Sequence, residues 1–204
     1  MNIEGTIFHK SSPYLFFIKF IAVFTLLYLF FPFYWGVTGA GGKLYSPLLA
    51  EHFNFLKGFT SLLTKSAKLL LDILGFETQQ RLYNSLRIGN SRGIIVNPSC
   101  LGWGVMSFWF AFVYANNGSW KYKLKWILTG ISIIILLNIF RIALIALANH
   151  KSWKIITGLD HHQTFNIASY GFVFMLMYRY IMVHNRSHKS MVNTLKTSEN
   201  MSTI

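Results

Sequence analysis

The chain has 204 residues, of which 53% are hydrophobic, 17% aromatic and only 12% charged, a composition that excludes an ordinary soluble domain and points to an integral membrane protein. Its net charge of +13 comes from 19 Lys+Arg against 6 Asp+Glu. Much of that charge flanks apolar stretches, so lipid headgroups rather than nucleic acid are the expected counter-charge. One cysteine excludes an internal disulfide, a CxxC pair and any Cys/His zinc spacing.

Residues 1–13 are polar, with Lys10 and Pro13, and the chain is then almost continuously aliphatic and aromatic from Tyr14 to Val37. About 20 apolar residues cross a bilayer, so 14–37 predicts a first span. The small residues Thr38-Gly39-Ala40 would suit signal-peptide cleavage, but the apolar run exceeds the usual core of such a peptide, and a retained helix is predicted. Lys19 can snorkel to the cytoplasmic interface. From Pro47 to Gly75 apolar residues recur at helical spacing. Phe59, Leu62, Leu63, Ala67, Leu70 and Leu74 fall on one side, and Thr60, Thr64, Lys65, Lys68 and Asp72 on the other. This predicts an amphipathic helix lying on the membrane surface and stopping at Gly75, because a crossing would have to shelter Lys57, Lys65, Lys68 and Asp72 from lipid.

Two β-prone runs, Arg81 to Ile88 and Arg92 to Val96, are joined by Gly89-Asn90-Ser91 and predict a short β-hairpin that delivers the chain to the cysteine. Asn97 then suits an N-cap and Pro98 a first helical position, which puts Cys100 in the first turn of a helix over about 100–116. Free backbone N–H groups and the helix dipole favour a thiolate there, although a free cysteine is more often a small packing residue. After the turn Asn116 to Ser119 comes a tight basic loop at Lys121, Lys123 and Lys125, and then a span over about 125–148 that contains Asn138 and Arg141. A polar link carries Asp160, His161 and His162, and a last span is expected over about 163–184. The basic tail 185–204 is expected to be disordered and cytoplasmic.

The predicted architecture is thus all-α and membrane-embedded: one domain over 1–184 with about four transmembrane helices, an amphipathic surface helix and the hairpin before the cysteine. The positive-inside rule puts both termini and the 121–125 loop in the cytoplasm. Cys100 and the His161/His162 link then meet at the outer, non-cytoplasmic face. Arg141 follows Lys125 by sixteen residues, roughly 24 Å of helix in a core about 30 Å thick, so it lies in the outer third of its span. An arginine in an apolar helix faces the bundle interior and marks function. Asn138, three residues earlier on the same face, is placed to hold its guanidinium. His162 shares a helical stripe with Asn166 and Tyr170, whereas His161 is followed at i+4 by Phe165, so His162 is the inward candidate. Asp160, His161 and His162 are adjacent and cannot converge on one metal ion from a helix.

This pattern resembles the exosortase/archaeosortase family of membrane-embedded cysteine transpeptidases. The resemblance rests on Cys100-Leu101-Gly102 opening a helix, on Asn138-Ile139-Phe140-Arg141-Ile142 in the next long helix, and on the His161/His162 pair before the last one. It covers about 81–180 and includes the hairpin. Four spans is fewer than the longer members have, and Leu101 stands where many members carry Ser. The resemblance implies a Cys-Arg-His site, without cofactor or metal, in a multi-pass protein of the cell membrane. Its partner would be the C-terminal sorting segment of exported proteins: a short motif, a transmembrane helix and a basic tail. In the implied chemistry Cys100, paired with His162 or alternatively His161, attacks the scissile carbonyl to give an acyl-enzyme, Arg141 stabilises the oxyanion or orients the substrate, and Asp160 orients a histidine. A non-enzymatic polytopic membrane protein, such as a transporter subunit or an assembly scaffold, is the rival reading, and it gives no reason for the three side chains to converge.

Overall fold

The computed structural model describes residues 13–39, 44–151, 167 and 169–184, in two units that divide after Phe165. The first unit is mostly helical. Helix α1, Pro13–Thr38, starts on a proline whose missing N–H would be unpaired there in any case. Its 26 residues extend about 39 Å, and it is apolar around its whole circumference, as a lipid-facing helix is. Helix α2, Pro47–His52, and helix α3, Phe55–Ile73, follow. Next come the strands β1, Thr78–Gln79, β2, Ser85–Ile88, and β3, Ile94–Ile95. A single 3-10 turn, Pro98–Leu101, leads into helix α4, Trp103–Ala115, and the unit ends with helix α5, Trp120–His150. In the second unit residues 169–184 are helical, within the range expected for the last span.

Aromatic contacts fix how α1 meets α4. Phe16 meets Phe112, Phe20 meets Phe108 at a ring separation of 5.2 Å, and Phe31 stacks on Trp103, whose indole N–H donates to the Leu27 carbonyl at 2.9 Å. Positions rise along one helix as they fall along the other, so the two run antiparallel. Helix α5 runs antiparallel to α4 in turn, because Trp109 donates to the Trp126 carbonyl and Asn138 reaches back to Leu101. At Gly130 an added Cβ would stand 2.0 Å from the Trp109 indole nitrogen, so only glycine lets that ring lie against α5.

Helices α1 and α5 are long and apolar enough to cross a membrane. Of the four expected spans these two meet that measure among the described residues; α4, at 13 residues, is about 20 Å long. The lysines 121, 123 and 125 do not form a loop: they occupy the start of α5, and Lys123 Nζ donates back to the Tyr114 carbonyl at 2.9 Å. The hairpin forms at Leu86↔Ile94, but its first strand begins at Ser85 rather than Arg81, because the Ser85 hydroxyl accepts from the N–H groups of Arg81 and Leu82 and closes a turn there. A third strand, β1, pairs antiparallel to β2 and completes a sheet of order β1-β2-β3.

The surface helix departs furthest from expectation. It breaks between α2 and α3, where Asn54 caps α3 by accepting from the Lys57 N–H at 2.9 Å. Its inward face is Leu56, Thr60, Leu63, Thr64, Ala67 and Leu71, so Thr60 and Thr64 are buried while Leu62 and Leu74 are exposed. The physical reason is that each threonine hydroxyl donates to the carbonyl four residues back, Thr60 to Leu56 and Thr64 to Thr60, and so enters the core satisfied. Gly75 does end the helix, with a left-handed φ of 86° and its N–H on the Asp72 carbonyl. The inward face of α3 packs with Leu86 and Ile88 of β2, Val96, Leu101, and Ile142, Ala143 and Ala146 of α5. This core encloses the cysteine turn.

Candidate active site

The hairpin hands the chain to the cysteine under tight backbone control. The Val96 N–H donates to the Asn84 carbonyl at 2.7 Å, and Asn97 follows in extended conformation. Asn97 makes no side-chain cap, and Cys100 does not stand on an α-helix: its N–H donates to the Asn97 carbonyl at 2.8 Å inside the 3-10 turn. Gly102, at a left-handed φ of 72°, separates that turn from α4. The expected help from a helix dipole therefore falls away, since the aligned peptides of α4 begin only at Trp103.

A side chain from α5 occupies the place of that dipole. Arg141 is 9% exposed, and its Nη2 donates to Cys100 Sγ at 4.0 Å, a contact between residues 41 apart in sequence. Its Nε is buried with no hydrogen-bond partner among the described residues. Arginine stays protonated in proteins, so a full positive charge with an unused donor is held beside the only thiol. Sulfur is a weak acceptor, so the contact places charge and planar donors beside Cys100 more than it anchors the arginine.

Asn138 does something other than expected. It does not hold the guanidinium; its Nδ2 donates to the Leu101 carbonyl at 3.2 Å and thus pins the backbone next to the thiol. An added Cβ at Gly102 would stand 2.0 Å from that same Nδ2, so the close approach and the left-handed φ both call for glycine. Asn138 and Arg141 are one helical turn apart, so one face of α5 grips the cysteine turn at its carbonyl and at its sulfur. Leu101 itself is fully buried in the core. Asp160, His161, His162 and Asn166 lie outside the described residues.

Beside the cysteine turn lies a groove of about 630 Å³. The end of α1 contributes Trp35 and Thr38, α2 contributes Pro47 and Glu51, and Asn54 and Lys57 open α3 on its far side. Tyr83, Asn84, Val96 and Pro98 close the groove on the hairpin side, and the Lys57 ammonium sits 5.6 Å from the Tyr83 ring centroid. Apart from Pro98, read from the sequence as a helix start, and Gly102, part of the Cys100-Leu101-Gly102 motif, none of these residues stands out from the sequence as part of a site. The hint at Gly102 is its position directly between a motif cysteine turn and a tryptophan helix start.

No curated protein and no solved structure matches this chain. The family model described as Transmembrane exosortase matches residues 12–179, which include the cysteine turn, the α5 face that grips it and the histidine pair. The chain belongs to the transmembrane exosortase family.

Proposed function

We propose that this exosortase is a cysteine transpeptidase or endopeptidase that removes C-terminal sorting segments from exported proteins at the outer face of the cell membrane. The observation that carries this reading is the Arg141 guanidinium held against the Cys100 sulfur, with one of its donors still free among the described residues. The Cys100 thiolate attacks the scissile carbonyl, a C–S bond forms, and the negative charge moves onto the carbonyl oxygen. Arg141 supplies positive charge and planar donors to that oxygen. Collapse of the intermediate breaks the C–N bond, and the imidazolium of His162, or of His161 as the alternative, passes its proton to the departing amine. An acceptor amine or water then attacks the thioester and frees Cys100. Asp160 orients the histidine, and Asn166, four positions after His162 in sequence, supports it.

The membrane orientation of this reading is supported by how charge is distributed along the helices. Lys121, Lys123 and Lys125 open α5, and Arg141 lies some 27 Å farther along it than Lys123. Antiparallel α1 brings Lys19 towards the same lysine end, because Phe16 and Phe20 flank it and meet Phe112 and Phe108 near the end of α4. A basic end facing the cytoplasm leaves Cys100 on the opposite side, in a multi-pass protein.

The test is co-expression with an exported reporter that ends in a short motif, an apolar span and a basic tail. Cys100→Ala is expected to leave the reporter wholly as precursor. Wild-type processing by that variant would return the protein to a non-enzymatic role. In a Cys100→Ser background, a cysteine at Ser46 is expected to react with a membrane-impermeant maleimide in intact cells, and one at Ser119 is not. The opposite labelling would place the site on the cytoplasmic side.

A further inference from the structure

The groove next to the cysteine turn has no part in the chemistry described so far, since neither Cys100 nor Arg141 lines it. Its lining runs from the end of α1 through α2 and the first turn of α3 to Pro98, two positions before the thiol. With consecutive Cα atoms 3.8 Å apart, Pro98 and Cys100 lie within roughly 8 Å of each other along the chain. We propose that this groove binds, as an extended peptide, the stretch of the exported protein that immediately precedes the scissile bond. The proposal rests on the transpeptidase reading above.

The wall chemistry selects a peptide. Trp35, Tyr45 and Tyr83 offer flat aromatic faces, while Glu51 and Lys57 offer a carboxylate and an ammonium group. A lipid tail in this groove would strand those polar groups without partners. A peptide matches them, because it presents N–H and C=O groups along its whole length and side chains for the aromatic faces. The volume lies within the range of about 300–1,000 Å³ typical of ligand sites.

The groove is also held in shape. The Tyr34 hydroxyl donates to the Phe53 carbonyl and accepts from the Phe55 N–H, which ties the break between α2 and α3 to α1. Asn54 caps α3 and donates to the Thr38 carbonyl at 3.5 Å, a second tie across the same junction. A groove ordered in advance loses little freedom when it is filled. Direction follows from the leaving group. The cleaved segment contains a transmembrane helix that stays in lipid, so a groove beyond the end of α1, lined by both signs of charge, suits the exported side of the bond.

Cys100 is the only cysteine, so Cys100→Ser yields a cysteine-free enzyme that cannot release its substrate. The probe is the same reporter with single cysteines stepped through the residues before its apolar span. Disulfide capture of those positions by Glu51→Cys or Tyr83→Cys is expected to exceed capture by Leu69→Cys, on an exposed face of α3, by about tenfold, the ratio that one well-made contact supports. In the Cys100 enzyme, Lys57→Glu and Tyr83→Ala are expected to raise the reporter level needed for half-maximal processing while leaving the maximal rate largely intact. Capture only from within the reporter's apolar span, or equal capture by Leu69→Cys, would overturn the proposal. Lost release by Cys100→Ser together with failed groove capture rejects the groove alone. Continued release by Cys100→Ser rejects the transpeptidase reading, and the groove proposal with it.

Discussion

The guanidinium of Arg141 and the sulfur of Cys100 meet across 41 positions of sequence, one carried by the longest helix and the other by a single 3-10 turn. The helix supplies charge and the turn supplies the thiol. The arginine is not explained by packing, because an apolar side chain would fill its site without a buried Nε that has no partner among the described residues.

Arg141→Met is therefore expected to abolish processing without loosening the protein. A buried unsatisfied donor costs roughly 1–3 kcal/mol, and the methionine removes it, so Tm in detergent should hold or rise. Arg141→Lys should fail to process as well, because an ammonium cannot reproduce the planar donor set. Reporter cleavage and thermal unfolding measured on the same preparations check both statements. A clearly lowered Tm for Arg141→Met would recast the arginine as structural.

Gly102→Ala is expected to do more harm than an ordinary glycine substitution. The new Cβ meets Asn138 Nδ2 at 2.0 Å, and left-handed backbone adds roughly 1–2 kcal/mol for any residue with a Cβ. Adding Asn138→Ala removes the collision but not the backbone strain, so the double variant should regain part of the lost stability and none of the activity. A double-mutant cycle on Tm, alongside reporter cleavage, separates the two terms. Strict additivity would mean that the two residues do not press on each other.

Gly130→Ala offers a test of how the helices pack. In an isolated helix alanine is better than glycine by about 1 kcal/mol, yet here its methyl group would intrude on the Trp109 ring. Overpacking of that kind typically costs about 1–3 kcal/mol, so Tm should fall. A rise in Tm would show that α4 and α5 have room to spare.

The two histidines should differ. On the helical stripe read from the sequence, His162 shares a face with Asn166 and Tyr170, and His161 with Phe165. His162→Ala is expected to abolish release of the sorting segment and His161→Ala to reduce it, as read by precursor accumulation at matched expression. The reverse ranking would assign proton transfer to His161, and equal mild effects would remove histidine from the mechanism.

The parts of the fold that the sequence made legible are those where long apolar runs dominate. Helices α1 and α5 contain the spans expected from composition, and the depth of Arg141 in its helix was enough to bring it to the level of Cys100. What stayed hidden depended on partners distant in sequence. Thr60 and Thr64 are polar by type, so a face drawn from residue types turns α3 the wrong way; their hydroxyls spend that polarity on their own helix. Gly102 is confined to glycine by Asn138, on another element, which takes the space a Cβ would need. Strand β1 is two residues long, too short to show any alternation. The lysines of 121–125 resemble a loop in composition, yet their long side chains are compatible with a helix start whose ammonium groups reach outward or back to Tyr114.

The left-handed glycine breaks helical continuity between the cysteine turn and the helix after it. Were Cys100 on the first turn of α4, any tilt of that helix would carry the sulfur with it. Membranes differ in thickness, and helices answer mismatch chiefly by tilting. Here the sulfur is registered to α5 directly, through Asn138 on the Leu101 carbonyl and Arg141 on the thiol, and not through the first turn of α4. Activity should accordingly vary little across bilayers of differing acyl-chain length, and it should depend far more on whatever shifts α5.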